Sequence, residues 1–200
     1  MNDVAYTIQP DDALVVVDVQ HDFLPGGALG VAEGERIFAP IDALAPRFAR
    51  VYATRDWHPP DHSSFSAQGG PWPEHCVANS HGAAFDPRLD LGKVDLVVDK
   101  GVDRETDGYS GFAATPLADD LRAHGVHRVF VCGLATDYCV KATALDALDD
   151  GFEAVVIDDA SAAVNVDPAD EQLALDDLRA AGVGVAHSTA LQGAAAHVRR

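Results

Sequence analysis

The apolar residues of this chain fall into short runs separated by polar, glycine-rich or proline-rich segments. Continuous aliphatic and β-branched runs, such as residues 13–19 and 129–131, are typical of parallel strands that are buried on both faces. The same kind of run predicts four further strands, at residues 50–54, 96–98, 153–157 and 183–186.

Between these runs the apolar residues recur at helical spacing. Helices are predicted at residues 35–48 and 116–124, after Cys139, and at residues 168–181, where Gly182 ends the pattern. Strands that alternate with helices imply an α/β fold in three layers, a doubly wound, mostly parallel sheet of about six strands with helices on both faces. Neither a repeat nor a linker interrupts the pattern, so we expect a single domain over residues 1–200.

The charge balance restricts the class of partner. The chain has 14 basic and 32 acidic residues, a formal net charge of −18, which disfavours nucleic acid and anionic membranes.

Its three cysteines are scattered and do not suggest a disulfide framework. Neither a signal peptide nor a membrane span is recognisable, so we expect a cytoplasmic protein that acts on a small molecule. The sequence leaves the oligomeric state open, a homo-oligomer included.

Three reactive side chains follow three different predicted strands. Asp18, Lys100 and Cys139 all come at carboxyl ends, where ligands bind in parallel sheets. Cys139 also falls in the first turn of a helix, where free N–H groups favour a thiolate and an oxyanion. Each side chain alone has a structural explanation, and a lone cysteine is commonly a small core residue. Together they predict a catalytic set in which the carboxylate takes the thiol proton and the ammonium stabilises the thiolate.

A metal site is predicted after the strand at residues 50–54. Asp56 and His58 are two apart in an extended segment and project to the same side. His75, from the long irregular loop at residues 59–87, could supply a third ligand. One carboxylate with two imidazoles suits zinc, and iron or manganese would accept the same set. Three more side chains of this loop are alternative ligands: His62, His81 and Cys76.

With these residues identified, the chain resembles the nicotinamidases of the isochorismatase-like cysteine hydrolase superfamily nearly end to end. The motifs that carry the resemblance are VDVQHDF at residues 17–23, DWHP at 56–59, WPEHC at 72–76, KG at 100–101 and GLATDYCV at 133–140. The second and third motifs are the more specific, because isochorismatases proper lack this metal site.

The resemblance implies hydrolysis of nicotinamide to nicotinate and ammonia in NAD salvage, with pyrazinamide as an analogue. It implies that Cys139 is the nucleophile, Asp18 the general base and Lys100 the third catalytic residue. It assigns the metal to Asp56, His58 and His75, with His62 a ligand in some relatives only. The implied oxyanion hole consists of the backbone N–H groups of Ala135 and Cys139, beside a cis Leu134–Ala135 peptide. The implied pocket lining is Phe23, Leu29, Trp72, Tyr109 and Tyr138.

Two alternatives stay open at this point. The protein could hydrolyse another amide or a ureide, or be an isochorismatase, although the metal ligands weigh against this. It could also be a zinc-binding structural module in which Cys139 is inert. One segment departs from expectation, because residues 102–108 (VDRETDG) are more charged than a site for a neutral ring requires.

Overall fold

The computed structural model describes residues 5–193, which form a six-stranded sheet covered by helices and a separate pair of short strands. The ends of the predicted single domain, residues 1–4 and 194–200, lie outside the described residues. The strands are β1 (Tyr6–Thr7), β2 (Asp12–Val17), β3 (Arg50–Asp56), β4 (Leu96–Lys100), β5 (Arg128–Leu134), β6 (Glu153–Ala162), β7 (Gly184–Ala186) and β8 (Leu191–Gln192). The α-helices are α1 (Phe38–Leu44), α2 (Leu117–Ala123), α3 (Lys141–Asp149) and α4 (Asp170–Ala181). Within the described part of the chain, no helix is long and apolar enough to cross a membrane.

The large sheet has the strand order β4-β3-β2-β5-β6-β7, and all its neighbouring strands are parallel. At the end of β2, Val17 lies opposite Thr54 of β3 on one side and Gly133 of β5 on the other. The direction of winding reverses at this point. The doubly wound α/β prediction is therefore confirmed, and the switch point, where such sheets bind ligands, lies between β2 and β5.

Strand β2 forms the centre of the core. All six of its residues are buried, and they alternate between the two faces. Leu14 and Val16 pack on the side of α1, whereas Val15 and Val17 pack on the side of α2, α3 and α4. Because each buried aliphatic side chain contributes about 1.5–3 kcal/mol, both faces select apolar residues, which explains the uninterrupted run in the sequence.

Several element boundaries differ from the sequence-based expectation. Strand β2 ends at Val17, two residues early, because Asp18 adopts a left-handed φ of 51°. Strands β3 and β4 each extend two residues further than predicted and pair Asp56 with Lys100. Sheet hydrogen bonds therefore hold the backbone at both residues, which lie on strands rather than on loops. The parallel pair β1–β8 was not predicted, because strands of two residues show no periodicity.

Candidate active site and metal-ligand set

Asp18 lies at the carboxyl end of β2, where its side chain is completely buried. The Thr54 hydroxyl donates a hydrogen bond to one carboxylate oxygen at 2.7 Å, and the Lys100 ammonium lies 2.8 Å from the other. Burial raises the pKa of Asp18 to about 6, although the Lys100 charge lowers it in part. The carboxylate is therefore poised to accept a proton near neutral pH.

Lys100 is the last residue of β4, and its ammonium group is enclosed by polar partners. Besides Asp18, it pairs with Oδ1 of Asp56 and donates to the carbonyl oxygen of Gly108 at 2.5 Å. Its Nζ lies 3.5 Å from the Cys139 sulfur. Burial alone would lower the pKa of Lys100, but the facing carboxylates raise it well above its usual range. Lys100 is thus a permanent buried cation.

Cys139 lies in a single π-helical turn, Thr136–Val140, between β5 and α3. Its side chain is buried, and its sulfur and the carboxylate oxygens of Asp18 and Asp56 lie within 4.8 Å of one another. Burial raises the pKa of this thiol well above its usual range, because it outweighs the attraction of Lys100. Cys139 is therefore a neutral thiol next to a carboxylate that can accept its proton, although a cysteine in the first turn of a helix favours a thiolate.

The backbone before Cys139 has the form that the resemblance implies. The Leu134–Ala135 peptide is cis, and Ala135 and Cys139 both border the same cavity. The Ala135 carbonyl accepts the N–H groups of Tyr138 at 3.1 Å and Val140 at 3.0 Å. These two bonds tie the residue to the π-helical turn and hold the backbone around the thiol in one conformation.

Asp56, His58 and His75 bring three ligand atoms within 4.8 Å of one another, and all three residues are buried. Oδ2 of Asp56 lies 3.3 Å from Nε2 of His58 and 3.9 Å from Nε2 of His75. Each imidazole donates through its other nitrogen, Nδ1, to a backbone carbonyl: His58 to Gly101 at 2.9 Å and His75 to Pro73 at 2.8 Å. A carbonyl can only accept, so both Nε2 lone pairs are directed at the common centre, the arrangement that metal-ligating histidines adopt.

The alternative ligands lie outside this set. His62 stacks on His58 at 4.0 Å between ring centroids, but both its nitrogens have partners, the Ser64 hydroxyl and the Thr106 carbonyl, each at 2.7 Å. His81 stacks on His21 instead. Cys76 is buried, and burial raises the pKa of its thiol far above the usual range. Neither His81 nor Cys76 belongs to a cluster of potential metal ligands among residues 5–193.

Two supporting residues were not singled out in the sequence. The buried Gln20 side chain accepts the N–H of Asp56 and donates to its carbonyl, both at 2.8 Å, and also donates to the Ala83 carbonyl at 2.9 Å. Gly101 has a left-handed φ of 61°, and a Cβ there would lie 2.4 Å from Cε1 of His58. Both residues stand in the motifs that carry the resemblance, at residues 17–23 and 100–101, but those motifs gave neither of them a role.

Cys139 of the catalytic set and all three metal-ligand residues line one cavity of about 280 Å³. All five side chains that the resemblance placed in the pocket line it: Phe23, Leu29, Trp72, Tyr109 and Tyr138. The Trp72 indole N–H donates to the Tyr109 hydroxyl at 2.9 Å, and its ring meets that of Tyr138 edge to face. Val164 and Asp107 also line the cavity and were not expected there. Much of the wall is therefore aromatic, with Trp72 and Tyr109 joined by a hydrogen bond, which suits a planar ring.

A doubly wound α/β sheet that carries Asp18 and Cys139 at its switch point, with the Lys100 ammonium beside them, belongs to the class of cysteine-dependent amidohydrolases. Residues 12–190 match the isochorismatase domain, and the chain belongs to the isochorismatase family. Its relatives include the nicotinamidase of Escherichia coli, which is 40% identical over 198 residues, covering 86% of this chain and 93% of the relative.

Solved structures agree with this assignment. The structure of PnC1 from L. infantum in complex with nicotinate superposes with a TM-score of 0.89 at 41% identity, covering 94% of this chain and 98% of that one. The pyrazinamidase of Pyrococcus horikoshii in complex with zinc superposes with a TM-score of 0.84 at 46% identity, covering 89% and 99%.

Proposed function

We propose that this protein hydrolyses nicotinamide to nicotinate and ammonia, with pyrazinamide as a second substrate, and so serves NAD salvage. The observation that carries the proposal is that Cys139 and all three residues of the Asp-His-His set line the same cavity, with Asp18 and Lys100 buried next to Cys139. Its volume of about 280 Å³ is smaller than the ~300–1,000 Å³ of most small-molecule pockets, which suits a single-ring amide. The relatives named nicotinamidase or pyrazinamidase support the same substrate class.

The donor set fits a zinc ion. Asp56, His58 and His75 offer one carboxylate oxygen and two lone pairs whose tautomers are set by backbone carbonyls, and burial lowers the pKa of His75, which keeps its imidazole neutral. Zinc is also present in the P. horikoshii relative, although iron and manganese accept the same ligand types. When bound, the ion supplies a Lewis-acidic anchor for the ring nitrogen of the substrate.

The residues of the catalytic set account for the first half of the reaction. The Cys139 sulfur attacks the amide carbon while the thiol proton passes to Asp18. An S–C bond and an O–H bond on Asp18 form as the S–H bond and the C=O π bond break, and the π electron pair becomes the oxyanion. A pKa of about 6 leaves Asp18 ionised and able to accept that proton at neutral pH. Lys100 remains charged throughout and compensates the negative charges of Asp18 and Asp56 in the buried site.

Backbone groups and the same carboxyl group complete the turnover. The N–H groups of Ala135 and Cys139 stabilise the oxyanion of the tetrahedral intermediate. Protonated Asp18 returns its proton to the nitrogen, and ammonia leaves as the C–N bond breaks. Water then attacks the thioester as Asp18 takes one of its protons, and the S–C bond breaks as Asp18 passes that proton to the sulfur. The product acid gives its remaining proton to solvent and leaves as the carboxylate, and the thiol is restored.

We infer a cytoplasmic location from the cysteines, since Cys76, Cys132 and Cys139 are all free and buried, as expected in a reducing compartment. The net charge of −18 supports a small-molecule substrate over nucleic acid or a membrane surface.

The chain acts as a monomer or as a homo-oligomer. Sedimentation of the purified protein would decide between these two oligomeric states.

The nucleophile is tested by comparing ammonia release from nicotinamide in the wild type, Cys139→Ala and Cys132→Ala. Cys139→Ala should release no ammonia and keep its zinc. Cys132→Ala is the matched control, because Cys132 is equally buried but lies in the core away from the cavity, and it should keep its turnover. Ammonia release by Cys139→Ala at the wild-type rate would exclude the thioester route.

The metal and the substrate are tested separately. Chelation should weaken nicotinamide binding to the Cys139→Ala protein, and unchanged affinity would remove the anchoring role of the metal.

Turnover of a ureido compound ten times more efficient than that of nicotinamide would favour the alternative amide or ureide hydrolase.

A further inference from the structure

The charged segment at residues 102–108 forms part of the rim of the active-site cavity. Its backbone is tied to the facing loop, because the Ser63 N–H donates to the Arg104 carbonyl at 2.9 Å and His62 bonds to the Thr106 carbonyl at 2.7 Å. At its end, Gly108 accepts a hydrogen bond from the buried Lys100. The backbone of the segment is thus tied to the active site at Arg104, Thr106 and Gly108.

Asp107 is the side chain of this segment that lines the cavity. Its Oδ1 accepts the N–H of Tyr109 at 3.2 Å, which fixes the carboxylate beside the aromatic wall. Among residues 5–193, no cation forms an ion pair with Asp107. The guanidinium of Arg104 is engaged by Glu105 and Asp61 instead.

The Asp107 carboxylate differs from the two carboxylates deeper in the site in its pairing with a cation. Asp18 and Asp56 are both paired with Lys100, which offsets their effect on a bound ligand. Within residues 5–193 no cation compensates the Asp107 carboxylate in this way, and Asp107 is an exposed residue of the cavity lining. Its field therefore acts on the net charge of whatever occupies the cavity.

We propose that Asp107 is a specificity-determining residue that disfavours anionic ring compounds and so separates the neutral amide substrate from the carboxylate product. This inference rests on the proposed function, in which a neutral amide enters and an acid of the same ring leaves. Repulsion between the Asp107 carboxylate and the product carboxylate lowers product affinity while leaving the uncharged amide without a Coulombic penalty. The residue thereby limits product inhibition and speeds product release.

The test measures the ratio of the nicotinate inhibition constant to the nicotinamide KM. Asp107→Asn retains the Oδ1 acceptor for the Tyr109 N–H and removes only the charge. Because the carboxylate is exposed and screened, we expect the ratio to fall about two- to fivefold at low ionic strength. Asp107→Lys changes the charge by two, so the ratio should fall by roughly the square of that factor, about 4- to 25-fold.

Salt dependence and a matched variant distinguish the local effect of the Asp107 charge from the effect of any charge change on the segment. The difference between wild type and Asp107→Asn should nearly vanish at ~1 M salt, where the Debye length is about 3 Å. Asp103→Asn makes the same charge change on the same exposed segment but outside the cavity lining, and should leave the ratio at its wild-type value. A pyrazinamide and pyrazinoate pair should show the same pattern, since the inference concerns charge rather than ring chemistry.

Two negative outcomes are distinguishable. If the wild type releases no ammonia from nicotinamide, the proposed function is wrong and this inference falls with it. If the wild type turns over but the ratio is unchanged in Asp107→Asn and Asp107→Lys, or falls equally in Asp103→Asn, only the role of Asp107 is refuted.

Discussion

Replacing Gly101 with alanine should disable the metal-ligand set through steric contact with His58. The new Cβ would lie 2.4 Å from Cε1 and 2.6 Å from Nδ1 of that ring, whereas ordinary contacts begin near 3.4 Å. Either the ring or the Gly101 backbone must therefore move by about 1 Å. Movement of either also strains the 2.9 Å hydrogen bond between His58 Nδ1 and the Gly101 carbonyl, which sets the tautomer of the ligand.

The magnitude follows from two separate costs. An alanine at the left-handed φ of 61° destabilises the fold by about 1–2 kcal/mol. Disturbing the group that orients a metal-ligating histidine typically lowers metal affinity about 10- to 100-fold. A displacement of ~1 Å at the substrate-orienting end of the site can lower kcat/KM about 100-fold.

Gly125→Ala is the matched control. Gly125 has a similar φ of 68°, but a Cβ there would meet nothing within 4 Å, so this variant has the backbone strain without the collision. Zinc affinity from chelator competition, kcat/KM from ammonia release, and unfolding in urea should be measured on both. We expect similar backbone destabilisation in both and loss of zinc affinity and activity in Gly101→Ala alone. Equal zinc affinity in the two variants would refute the steric argument.

Two further predictions concern Asp18 and Gln20. Asp18 must be ionised to accept the thiol proton. Its raised pKa of about 6 therefore predicts that kcat/KM falls about tenfold per pH unit below pH 6. A decline of kcat/KM that begins only near pH 4, the ordinary pKa of aspartate, would contradict this. Gln20→Ala leaves three buried backbone groups of Asp56 and Ala83 without their partner, so urea unfolding should show a loss of about 3 kcal/mol or more together with weaker zinc binding. The exposed Gln172→Ala should stay within about 0.5 kcal/mol of wild type, and an equal loss in both variants would argue against the role of Gln20.

Sequence patterns predicted best those structural features that depend on one short stretch of the chain. The buried run that became β2 predicted a central parallel strand, and reactive residues at strand ends predicted the position of Asp18, Lys100 and Cys139. The five pocket residues came from the resemblance, and all of them line the cavity. Strand ends were less accurate, since the left-handed conformation of Asp18 and the pairing of Asp56 with Lys100 depend on neighbouring strands.

The chemical state of the site could not be inferred from the same patterns. A cysteine at the start of a helix suggests a thiolate, but the pKa of Cys139 is raised because burial outweighs the attraction of the Lys100 charge. His62 was a reasonable candidate ligand, yet both its nitrogens are occupied by Ser64 and Thr106. Protonation and ligation depend on the surroundings of each atom, which include residues more than 40 positions away.

The sequence by itself determined the α/β architecture, the residue types available for catalysis and the donor types available to a metal. These follow from periodicity and from chemistry that each side chain has regardless of its neighbours. Only the tertiary structure decided that Asp56 divides its two oxygens between Lys100 and the histidines, that Gln20 holds the Asp56 backbone, and that Asp107 lines the cavity. Such contacts join residues distant in the chain, and they are fixed by strand order and close packing rather than by any local pattern.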